Sequence, residues 1–208
     1  MQAIISRFFI VLLLITTCYA SFASETVSVS SEKLMEVNAG GSLSIEWNEM
    51  MLVGIVKRDQ IDIDNLMKLK AVLADPSTDN QTDRFDKSIP IEKELPFIKS
   101  EKRSSSDDYL VFIRGAPEGP GCSIAWYPRG HKIENEILIR ELTGVPWFGG
   151  FIDACTLNKY DLSGRVYKGT GARINLQIPK HHFDSEGNLI IGVSTPNKSP
   201  QPTAYGGG

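Results

Sequence analysis

The sequence predicts a mostly β protein, built of short antiparallel strands with one short helix. Three observations carry this expectation. From Asp108 onward, short apolar stretches are separated by Gly- and Pro-rich turns, as in antiparallel sheet. Ser42 to Trp47 alternates polar and apolar residues, the pattern of a half-buried strand, and the apolar run Met50 to Val56 follows it. One stretch alone places apolar residues on a helical face: Ile63, Leu66, Leu69, Val72 and Leu73. With 208 residues, 41% hydrophobic and 23% charged, the chain can bury one real core, with room for a small subdomain.

At the N-terminus, Arg7 precedes an apolar run, Phe8 to Ile15, and small or polar residues follow through Ala23. This is the layout of a secretory signal cleaved after Ala20 or Ala23, or of a retained N-terminal anchor. The run is shorter than the roughly 20 apolar residues of a membrane span. Cys18 hints at a lipid anchor, although Thr17 fits that motif poorly. Residues 24–41 read as a polar, extended linker rather than a helix. Asn48 and Glu49 suit a hairpin turn. Asp59 or Asp62 caps the helix, which is expected to stop at Ala74 or Asp75, before Pro76. Residues 76–107 read as a long, partly mobile connection. Strands are expected over Tyr109–Ile113, Cys122–Trp126, Glu136–Glu141, Gly150–Ile152, Ile174–Ile178 and Asn188–Val193. The tail, residues 199–208, reads as disordered.

The net charge is -3, with no basic block, so a nucleic-acid partner is unsupported. No Ser/His/Asp motif, HExxH or phosphate loop is present, and no catalytic residues are assigned. Glu134/Glu136 and Asp107/Asp108 read as solvated charges, and Lys57 with Arg58 as a wet strand end. Trp126, Trp147 and Phe148 read as packing residues, with an exposed contact surface at Trp147 and Phe148 as the alternative. If export removes Cys18, Cys122 and Cys155 remain in an oxidising compartment, where pairing is the default. The other candidate metal ligands are His131, His181, His182 and Asp153. His181 and His182 are adjacent, so on an extended segment they point to opposite faces.

Three segments appear in a specific order between Gly149 and Gly192: Tyr160 to Arg165 (YDLSGR), Asn175 to Pro179 (NLQIP) and Leu189 to Gly192 (LIIG). Upstream lie Ile45 to Trp47, Val53 to Arg58 and the strand Tyr109 to Ile113. Together these resemble the Rieske iron–sulfur subunit family of ubiquinol–cytochrome c reductase over about residues 37–193. The resemblance implies a base domain, 42–113 and 166–198, within a Rieske-like domain spanning 42–198. It also implies a small cluster-binding subdomain over 114–165. The family's function would be electron transfer through a 2Fe–2S cluster, with cytochrome b or cytochrome c subunits as partners.

In that family each of two boxes supplies one Cys and one His to the cluster, plus a Cys for a disulfide between the loops. Aligned on Gly121-Cys122, the first box has Pro117 and Gly119 at the ligand positions, and residues 114–121 contain neither Cys nor His. In the second box the ligand positions hold Asp153 and Thr156. The disulfide cysteines correspond to Cys122 and Cys155. Asn158 and Tyr160 stand where the family has hydroxyls that tune the cluster, and Tyr160 is expected to serve packing instead. The family's G-P-A-P loop reads Gly169 to Ala172. The expectation is therefore a periplasmic protein, or one anchored to the inner membrane by its N-terminus, with no cluster or other cofactor. It would bind or brace a partner, plausibly the respiratory complex. The alternative is an electron-transfer subunit whose 2Fe–2S cluster has unusual ligation.

Overall fold

The structure, a computed structural model, describes residues 26–47, 51–81, 91–118, 121–133 and 144–193. The N-terminal segment, the Asn48-Glu49 turn, the expected strand Glu136–Glu141 and the tail lie outside the described residues, as do Gly119 and Glu134.

Among the described residues, three antiparallel three-stranded sheets form the fold. Strands β2 (Ser42–Glu46), β3 (Leu52–Lys57) and β4 (Tyr109–Ile113) form the central one. β1 (Val27–Val29) pairs with β9 (Leu189–Ile191), which pairs with β8 (His181–Phe183). β5 (Ile124–Tyr127), β6 (Gly150–Asp153) and β7 (Lys159–Tyr160) make the third. Three short helices are described: α1 (Ser31–Met35), α2 (Gln60–Met67) and α3 (Ile91–Glu94).

The central sheet is apolar on both faces, which explains the unbroken apolar run of β3. Val53, Ile55, Val111 and Ile113 pack toward β1 and β9, whereas Val56, Leu110 and Phe112 join Ile124, Phe151 and Tyr160 of the third sheet. Gly54 lets Phe112 lie across the ladder, since a Cβ there would meet its ring at 2.4 Å.

Several expectations are corrected. Residues 24–41 contain β1 and α1, and Ser30 caps α1 by accepting from Lys33 N. Asp59 caps α2 as expected, with Asp62 reciprocating in a capping box. The helix ends at Met67 rather than Ala74, because the Leu66 carbonyl already accepts from Leu69 N and Arg165 Nη2. Beyond it, Ala74 N donates to Val166 O, Lys168 N donates to Val72 O, and Leu73 is bridged to Tyr167. The connection 76–107 is packed where described: Gln81, Leu95, Ile98 and Arg103 are buried. Ile174–Ile178 joins no sheet among the described residues: Gln177 O accepts from Ile113 N of β4, but Arg103 and Gln81 side chains occupy the Leu176 carbonyl. Arg58 is no wet strand end but is 2% exposed.

Candidate functional site: the braced loops of the third sheet

The register of β5, β6 and β7 places Ile124 opposite Asp153, and Trp126 and Tyr160 on either side of Phe151. Directly paired residues share a face, so Trp126, Ile124, Phe151, Asp153 and Tyr160 line one side of the sheet. Ala154 N donates to Ser123 O at 3.0 Å, carrying the pairing one step past the strands. The next pair is Cys122 and Cys155, joined by a disulfide with Cα atoms 5.8 Å apart. Cys155 is exposed and Cys122 half-buried.

Each loop is held by its own polar groups. In the second, the buried Asp153 carboxylate accepts from Cys155 N at 2.9 Å, from Thr156 N at 3.4 Å and from Thr156 Oγ1 at 2.6 Å. Backbone bonds from Leu157 N to Asp153 O and from Asp153 N to Asn158 O close the turn, both at 2.9 Å. An aspartate that takes the amides two and three residues ahead is a local turn former, so this geometry follows from the residue type. In the first loop, Ala116 N donates to Cys122 O, and Glu118 Oε1 accepts from Arg173 N at 2.8 Å and Ile174 N at 3.0 Å. Asn158 Oδ1 accepts from Ala172 N, so a third loop is tied in. Beneath them Tyr160 is fully buried, and no partner is found for its hydroxyl among the described residues. Burial, then Asp153 and Glu118, push its pKa well above the ordinary phenol range.

Under the loops lies a buried charged turn. Asp161 Oδ1 accepts from Ser163 N and Arg165 N, and its Oδ2 pairs with Arg165 Nε at 2.8 Å. Gly164 turns the chain with φ +71°. Arg103 donates to the Ser163 and Gly164 carbonyls, and Arg58 to Leu162 O and Ser163 Oγ. Burial lowers Arg58 to about 10 and Arg103 to about 9, so both stay charged at neutral pH.

Compared with known proteins, the chain is 26% identical over 159 residues to the ubiquinol–cytochrome c reductase iron–sulfur subunit of Allochromatium vinosum. That match covers 76% of this chain and 67% of that protein. The chain is similar to Rieske iron–sulfur subunits. A match of 45 residues is 47% identical to the mitochondrial Rieske subunit of the cytochrome b-c1 complex of Neurospora crassa, and one is 42% identical to that of Candida albicans. These shorter matches cover 22% of this chain and about a fifth of each relative, 19% and 21%. No protein-family model matches.

On this Rieske-like scaffold the structure brings together Asp153, Thr156, Cys122 and Cys155, and leaves the histidines elsewhere. His131 is exposed beside Tyr127. His181 is buried, donating from Nδ1 to Pro179 O, with its ring against Phe97. His182 is half-buried, its Nδ1 3.3 Å from Val193 O. Among the described residues, the one group of candidate metal ligands is Cys122, Asp153 and Cys155. Pro117 is half-buried beside Glu118. Tyr160 and Trp147 are core residues, as packing would have them, and Trp147 is too buried for a contact surface. Asp107 and Asp108 are exposed, Asp107 paired with Lys102. The sequence reading missed Glu118 and Arg103. Neither is marked by any local pattern, because their bonds reach 55 and 60 residues along the chain.

Proposed function

We propose that the chain is an exported protein with a Rieske-type scaffold and no 2Fe–2S cluster, acting as a binding or structural partner of the quinol–cytochrome c reductase. One observation carries this reading: the second-box ligand positions, Asp153 and Thr156, are hydrogen-bonded to each other and organise the loop. A Rieske cluster needs two thiolates on one iron and two imidazoles on the other. The loops offer a carboxylate, a hydroxyl, a proline and two sulfurs already bonded to each other, so the residues present do not fit that group. What they supply instead is shape, since the braces that remain are indifferent to iron.

Export is supported by the N-terminal layout, from Arg7 through Ala23, and by the disulfide, which persists in oxidising compartments. Among the described residues no helix is long and apolar enough to cross a membrane. The partner is argued from the relatives, whose names place them in that complex. The extent of the Allochromatium match favours a second reading, an electron-transfer subunit with unusual ligation.

Iron analysis of protein purified from its native membrane separates the two. The first reading expects a colourless preparation, no paramagnetic signal on reduction, and co-purification with a cytochrome b or c subunit. About two iron atoms per chain would select the second reading and overturn the first.

A further inference from the structure

We propose that reducing the Cys122–Cys155 disulfide creates a site for a borderline-soft divalent cation of the zinc class, held by both thiolates and the Asp153 carboxylate. Three observations carry it. One ligand atom from each of the three residues lies within 4.8 Å of the other two, close enough to surround one ion. The donor set, two sulfurs and one oxygen, suits zinc rather than calcium or magnesium, which take oxygen alone. The carboxylate is already aimed: Cys155 N and Thr156 Oγ1 donate to its two oxygens, the kind of outer hydrogen bonding that orients a ligating group. Cys155 is exposed, which leaves a fourth position for water.

The disulfide is one brace among several. Ala154 N to Ser123 O, Ala116 N to Cys122 O, and Glu118 to the amides of Arg173 and Ile174 tie the loops through bonds in which neither sulfur takes part. The reductant is a dithiol. Its thiolate attacks Sγ of Cys155, an exposed residue, the S–S bond breaks, and Cys122 leaves as a thiolate. The second thiol of the reductant then attacks the mixed disulfide and frees Cys155. Two electrons pass to the chain and the reductant becomes a disulfide. The cation displaces the protons that the two thiols carry. The site is thus closed when oxidised and open when reduced. This inference is independent of the proposed partner but rests on the reading that no cluster occupies these loops, which iron analysis tests separately from the cobalt titration.

The test uses the full chain, reduced with a phosphine under anaerobic conditions and titrated with Co²⁺. The expected result is a thiolate-to-cobalt absorption band at one ion per chain in the reduced protein only, bleached by Zn²⁺. Cys155→Ser is compared with reduced wild type, since both lack the covalent link and the position is exposed; it should lose the band. Asp153→Asn should weaken Co²⁺ binding by about tenfold or more. No band in reduced wild type with a native circular dichroism spectrum would overturn the proposal. So would a band in the oxidised protein, or one that survives in Cys155→Ser.

Discussion

Asp153 shows how one side chain sets local geometry. Its carboxylate gathers one amide, a second amide and a hydroxyl from the next three residues, and the loop closes on it. Thr156→Val removes the 2.6 Å hydroxyl bond while keeping the shape of the side chain. It should cost about 1–2 kcal/mol, because a buried carboxylate oxygen loses a donor; urea denaturation checks this. Gly164 is a different kind of single-residue constraint. Its φ is +71°, and a Cβ would lie 2.9 Å from Leu176 Cβ and 3.2 Å from the Arg103 guanidinium. Gly164→Ala should therefore destabilise by about 2 kcal/mol or more, from backbone strain plus crowding. A shift of the urea midpoint below half that size would show that the turn can relax.

Among the elements, the disulfide and helix α2 are braced in different ways. Cys122 and Cys155 are separated by 33 residues, and cross-linking a loop of that size stabilises by about 3–4 kcal/mol in the chain-entropy argument. A Cys122→Ser/Cys155→Ser double variant should lose that much yet retain its circular dichroism, since the hydrogen bonds between loops remain. Loss of folded signal at low temperature would mean that the bonds alone cannot hold the sheet. Helix α2 is tied to the turn after β5 by Arg129, which forks onto Asp59 and also meets Asp62. The Arg129 hydrogen bond holds Asp59 well below the usual carboxylate range, whereas burial raises Asp62. Arg129 and Asp59 are each about a third exposed, 34% and 32%, so solvent screens them. Arg129→Ala should cost about 1 kcal/mol or less, read as a small shift in melting temperature that shrinks at high salt.

For the molecule as a whole, the central sheet joins two cores, and stability depends on keeping both dry. His181 in β8 is fully buried, its Nε2 has no partner among the described residues, and burial lowers it to about 4 from 6.5. The sign follows from linkage: the unfolded chain takes up the proton first. Stability from this group is complete above pH 6.5 and falls as the pH drops toward 4, with a slope of about 1.4 kcal/mol per pH unit. Denaturation midpoints across that range should decline, and His181→Phe should flatten the decline. An unchanged slope in that variant would assign the loss to other groups.

Local pattern was enough for much of this. Strand β4, the alternation of β2 and the Asp59 cap follow from neighbours a few residues apart, where period and turn chemistry operate, whereas the pairing of Cys122 with Cys155, 33 residues apart, was expected from the cysteine count and the resemblance to the Rieske family. Tertiary structure alone decided that Arg58 and Arg103 are buried, that Ile174–Ile178 joins no sheet among the described residues, that β1 closes onto β9, and that Glu118 clips two loops together. The reason is common to all four. Each depends on a distant donor or strand claiming a particular backbone group, and no sequence period records which carbonyl, dozens of residues away, a guanidinium will reach once the core has closed.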